Sequence, residues 1–168
     1  MISVEHVRTM ARYNRWQNRS LYAAADSLTD AQRRESRGAF FGSVHGTLSH
    51  LMWGDRLWMA RFEGKPRPHT LPVTESPTYI SDWAAMKAER ASEDQRIIAW
   101  ADGIDPASLY RDLTWTSGIA GSERTRPLWL LITHFYNHQT HHRGQVHALL
   151  TGLGAKPDDT DLIIMPAA

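Results

Sequence analysis

Residues 128–152 carry the longest unbroken helical pattern in the chain, and that pattern constrains the fold more than any other stretch. Leu128, Leu131, Phe135, His138, His142, Gln145, Leu149 and Gly152 follow 3-4-3-4-3-4-3 spacing, the seam of a helix that packs against other helices. The seam is apolar at both ends and polar in the middle. Five of the nine histidines lie between His134 and His147. Burying a polar group without a partner costs about 1–3 kcal/mol, so the interior must offer these imidazoles something.

Three more helical segments precede this one, with no internal repeat. The first runs from about Val4 to Ser27, with Arg8, Arg12, Arg15 and Arg19 drawing one solvated stripe. Asn14 and Asn18 lie one turn apart beside its apolar face and are expected to make polar contacts between helices. Ser43 is placed to cap a second helix over about Val44 to Glu63, which Gly64, Pro66 and Pro68 end. A Pro-rich connection leads to a third helix over about Tyr79 to Ala101. Between it and the last helix, the Leu113/Trp115 alternation and central glycines suggest a short hairpin or an ordered loop. Pro127 suits the first turn of the last helix. The apolar tail "DLIIM" is expected to be pinned to the body or to a partner subunit. Four long helices with long second and third connections predict an all-α four-helix bundle forming one domain over residues 1–168.

Composition narrows the function. A formal net charge of +1 is not that of a nucleic-acid binder. No apolar run reaches the length of a transmembrane helix, and the start lacks the apolar core of a signal peptide, so a cytoplasmic protein without membrane attachment is expected. There is no cysteine, hence no thiolate ligand and no cysteine nucleophile.

A metal ion would satisfy the buried imidazoles. Histidines at i and i+4 aim at one point; two turns, roughly 11 Å, are too far, so His134, His138 and His142 do not all bind one ion. His134/His138 has the same spacing. His138/His142 is preferred because Gly144 and Gln145 continue the polar patch on that side. A third ligand must come from another helix, and His50, among Leu48, Leu51, Met52 and Trp53, is the best placed. His45 lies near a helix start, where exposure is easier. His6, His69 and His147 read as surface or loop residues, and His141 sits next to the seam.

"HFYNHQTHHRGQ", with His138-x-x-x-His142-Arg143-Gly144-Gln145, resembles the metal-binding helix of the DinB-like (damage-inducible) family. "SVHGTLSHLMWGDRLWMARF" is similar to that family's second helix, whose histidine matches His50. "RYNRWQNRSLYAAA" resembles its first helix and "DTDLIIM" its closing segment. The resemblance implies a bundle binding a divalent ion, commonly zinc or nickel, through His50, His138 and His142. It also implies frequent homodimers. A related branch transfers or isomerises small-molecule substrates with low-molecular-weight thiols.

Three neutral histidines leave a coordination position open, as in catalytic rather than structural zinc sites. A hydrolase would want Glu after the first histidine, where this chain has Gln139, and residues 127–157 contain no carboxylate at all. A thiol-dependent transferase is therefore the first expectation, a metal-dependent hydrolase or a non-catalytic metal-binding, stress-related bundle the alternatives. Asp55 is the carboxylate nearest His50 in sequence, with Arg56, Arg143 or a helix terminus as its expected partner. Arg143 is expected either to bind an anionic group or to lie on the surface. Gln145 is expected to hydrogen-bond a ligand histidine or a bound water.

Overall fold

The fold is taken from a computed structural model, which describes residues 2–117 and 121–167. Four long helices form the bundle: α1 (Val4–Asp26), α3 (Val44–Phe62), α4 (Trp83–Asp102) and α5 (Leu128–Gly152). A short helix, α2 (Asp30–Arg34), follows α1, and an antiparallel hairpin of β1 (Asp112–Ser117) and β2 (Ser122–Pro127) precedes α5. The expected hairpin is thus present; of its glycines, Gly121 takes a left-handed φ of 61°, while Gly118 lies outside the described residues. α1 packs on α4 and α5, and α3 packs on α5 and α4.

Local chemistry sets the helix ends. Ser3, Ser43 and Asp82 each accept a hydrogen bond from a backbone N–H of the first turn, which satisfies donors that have no intrahelical partner. Thr29 and Gln32 close a capping box on α2. α3 stops at Gly64, whose φ of 64° lets Lys65 N donate back to Ala60 O, a turn that a Cβ would strain. Pro127 occupies the N-cap position of α5, just outside its first turn, and makes no side-chain capping bond.

The apolar core comes in two parts. One gathers Leu21, Leu48, Met52, Met86 and Leu150. The other gathers Val7, Met59, Ile97, Ile132 and Phe135. Between them runs a buried polar belt. Arg90 donates to Asp55 Oδ2 at 2.6 Å and lies 2.9 Å from Asp94 Oδ1. Asn14 and Asn18 both donate to Asp94 Oδ1, and Arg143 donates to Asn14 Oδ1. Two carboxylates and two guanidiniums balance, and the flanking acids hold Arg90 protonated. That balance is what makes buried charge tolerable.

The belt answers several expectations. Asn14 and Asn18 do bridge helices. Asp55 pairs with Arg90 of α4, whereas Arg56 turns to Glu89. Arg143 is buried, so it is not a surface residue. α5 also buries a second stripe, Ile132, Tyr136, Gln139, Arg143, Val146 and Leu150, so the histidine seam lies along one edge of its buried face. The tail is held to α1 by Tyr13, which donates to Thr160 O, by Gln17, which donates to Asp159 O, and by Ser20, which accepts from Asp158 N. Beyond that tether Leu162, Ile163 and Ile164 are exposed. Among the described residues no helix is long and apolar enough to cross a membrane.

Candidate metal centre

At the level of the belt, α3 and α5 bring His50, His138 and His142 together. One ring nitrogen from each lies within 4.8 Å of the others. The closest pair, His50 Nε2 and His138 Nε2, is 3.0 Å apart. Two nitrogens at 2.0–2.1 Å from a tetrahedral ion sit about 3.3 Å apart, so the His50–His138 pair is already close to that spacing, and the widest separation would close by at most about 1.5 Å to hold one ion.

The surrounding hydrogen bonds fix which nitrogen each ring presents. His50 Nδ1 lies 2.8 Å from Ser76 Oγ. That hydroxyl spends its one proton on Val73 O at 2.6 Å, so His50 must donate from Nδ1 and keep its Nε2 lone pair inward. Gln145 Oε1 lies 2.8 Å from His142 Nδ1, and an amide oxygen can only accept, so His142 is fixed the same way. Gln145 in turn contacts His141 through Nε2 at 3.2 Å. Such outer partners are the usual supports of metal-ligating histidines. His138 Nδ1 is buried without a partner. With no ion between the rings, His138 donates Nε2–H to His50; to ligate an ion through Nε2, His138 would have to carry that proton on Nδ1 instead.

Burial keeps the rings neutral. His50 is pushed down to about 3 by desolvation, helped by His138 and His142. His138 falls to about 3 for the same reason, with His142 and His134 adding repulsion. His142 is lowered by burial, against the opposing bond to Gln145. Neutral imidazole is the form that ligates, so no proton must leave at pH 7.

Aromatic walls hold the group. Phe41 stacks on His50 with ring centroids 3.7 Å apart and lies 5.2 Å from His142. Trp53 faces His50 at 5.8 Å. Gly54 makes room for His138: a Cβ there would lie 3.1 Å from His138 Cε1.

The sequence selected these three histidines, and the structure brings those three together. His134 sits one turn before His138 on α5, against Trp58, and is not in the group. His141 is exposed and touches only its edge. His45 is buried rather than exposed, with Nε2 2.9 Å from Ile80 O. His69 lies in the expected loop, with Nε2 bonded to Trp53 O. Ser76, Phe41 and Gly54 were not anticipated. Gly54 left a signal, since a glycine inside a helix costs about 1 kcal/mol against alanine and calls for a reason. Ser76 left none, lying in an aperiodic Pro-rich connection.

A helix bundle with an inward-facing three-histidine group is the class of protein that this fold and this site define. The model of the DinB family matches residues 3–167, and the chain belongs to that family. A curated relative, Protein DinB of Bacillus subtilis (strain 168), is 26% identical over 155 residues, spanning 89% of this chain and 87% of the relative.

Proposed function

We propose that His50, His138 and His142 hold one divalent transition-metal ion, zinc or nickel, and that the centre serves group transfer on small molecules with an external low-molecular-weight thiol. The reading is carried by an all-imidazole donor set with no carboxylate in it. Three neutral ligands leave the ion's charge intact. A bound ion would supply Lewis acidity at an open position and would hold an offered thiol as its thiolate. The chain's own residues do the rest: Ser76 and Gln145 orient two ligands, while Phe41 and Trp53 wall the group from water.

Hydrolysis is less well supported, because it needs a general base beside the ion. Gln139 cannot abstract a proton, and Asp55 is committed to Arg90. The absence of cysteine leaves no internal thiolate to compete with an external one. The reading also keeps a homodimer, consistent with the exposed Leu162–Ile164 tail and testable by light scattering.

Replacing the ion by cobalt(II) and titrating a small thiol tests the reaction class. A new sulfur-to-metal charge-transfer band is expected, and its absence at saturating thiol would remove the transferase reading. Chelation tests the non-catalytic reading: a purely structural ion predicts a large fall in Tm, a catalytic one a smaller fall.

A further inference from the structure

Further along α3 from the histidines, the α3/α5 seam changes character. Arg61 lies eleven residues after His50 on α3, about 20° round the axis and about 16 Å along it. Helical side chains lean towards the N-terminus, and the Arg61 guanidinium accordingly lies 4.5 Å from the Trp58 ring and 5.8 Å from that of Trp115 on the hairpin. Trp58 in turn contacts His134, 5.3 Å away between centroids, and His134 stands 6.0 Å from His138. A continuous path of side chains therefore joins the candidate metal centre to Arg61.

Among the described residues Arg61 has no acid within ion-pairing distance and donates no hydrogen bond to protein. The nearest acid along the chain, Glu63, is taken by Arg96 and Lys65. Its electrostatic neighbour is another cation, Arg67, and burial with that repulsion pushes the guanidinium down to about 10. The hairpin adds charge of the same sign. Strand register places Arg124 opposite Trp115 and Arg126 opposite Leu113, so both arginines share the face that carries Trp115. The hairpin's acids, Asp112 and Glu123, fall on the other face. A half-buried, unpaired guanidinium is unfavourable unless something outside the chain completes it. Stacked on an indole, its N–H edge is left free for two parallel bonds to an oxyanion.

We propose that Arg61, walled by Trp58 and Trp115, is the recognition residue for the carboxylate of a small-molecule ligand whose other end reaches the three-histidine centre. The separation sets the ligand's length at roughly 10 Å or more, and the tryptophan walls suit an apolar or aromatic body between its ends. The second end rests on the reading of the centre given above; the carboxylate subsite does not.

The test uses 4-fluorobenzoate and its uncharged analogue 4-fluorobenzamide, with binding read by fluorine NMR on the protein as purified and after chelation. The acid is expected to bind at least tenfold tighter than the amide in both forms. Arg61→Gln should abolish that preference, and Arg61→Lys, which keeps charge without the planar fork, should retain part of it. Neither variant should alter metal content. Equal affinity for acid and amide, no binding of either, or a preference that survives Arg61→Gln would overturn the assignment. A preference lost on chelation yet untouched by Arg61→Gln would place the carboxylate on the ion and likewise overturn it. Loss of the metal centre alone leaves the chelated-form result standing, so the two readings fail separately.

Discussion

Ser76→Ala should destabilise the fold through a proton, although Ser76 is not itself among the three histidines. In the native chain Ser76 Oγ accepts from His50 Nδ1 at 2.8 Å, because its own proton goes to Val73 O at 2.6 Å. Without the hydroxyl, His50 Nδ1–H would be a buried donor with no partner. A change of tautomer gives no relief. If the His50 proton moved to Nε2 and were donated to His138 Nε2, 3.0 Å away, the His138 proton would have to sit on Nδ1, which is also buried without a partner. One unpaired N–H remains in either arrangement, at about 1–3 kcal/mol of stability. The same cost persists with an ion bound, so metal affinity should fall by less than the 10- to 100-fold typical of lost outer partners. Urea unfolding of the metal-free variant measures the loss, with zinc competition against a chelating dye at pH 7 alongside. Metal-free stability equal to that of wild type would refute the tautomer reasoning. So would a loss of affinity of about 100-fold or more.

Gly54→Ala should act in opposite directions on two readouts: helix propensity favours alanine by about 1 kcal/mol, while a Cβ 3.1 Å from His138 Cε1 displaces a ligand, so metal-free stability should rise or hold while zinc affinity falls. Arg90→Met would leave Asp55 and Asp94 facing each other in the core. Breaking such a buried pair costs about 3–5 kcal/mol, seen as a Tm lower by roughly 6–20 °C at 2–4 °C per kcal/mol. The metal-free protein should also weaken in acid. His50 and His138 are held at about 3 when folded, against about 6.5 unfolded. Stability is therefore full above pH 6.5 and falls as the unfolded chain takes up protons, by up to about 1.4 kcal/mol per pH unit for each ring, until about pH 3. Urea midpoints at pH 7 and pH 5 should show this slope, and His138→Ala should reduce it.

The long helices were legible because their apolar spacing, caps and stops agree, and their ends fall within a few residues of expectation. α4 differs most, starting at Trp83 rather than Tyr79, because residues 73–78 form a separate 3-10 turn that carries Ser76. His50, His138 and His142 were legible because polar residues stood where a bundle seam calls for apolar ones. The same logic underestimated α5. Gln139 and Arg143 lie off the heptad seam, yet both are buried, since α5 packs on α1 as well as α3. Arg143 could not be placed from sequence because its partner, Asn14, is 129 residues away. Ser76 and Phe41 approach the histidines from connections, where no periodicity reports on three-dimensional position.

The central claim is that His50, His138 and His142 form a metal site. Elemental analysis of the tag-free protein by inductively coupled plasma mass spectrometry, with His142→Ala and His134→Ala beside it, tests that most directly. About one transition-metal ion per chain is expected in the native protein and in His134→Ala, and none in His142→Ala. Full occupancy in His142→Ala, or no metal in the native protein after incubation with zinc or nickel, would contradict the account and leave the histidines as a buried hydrogen-bond network.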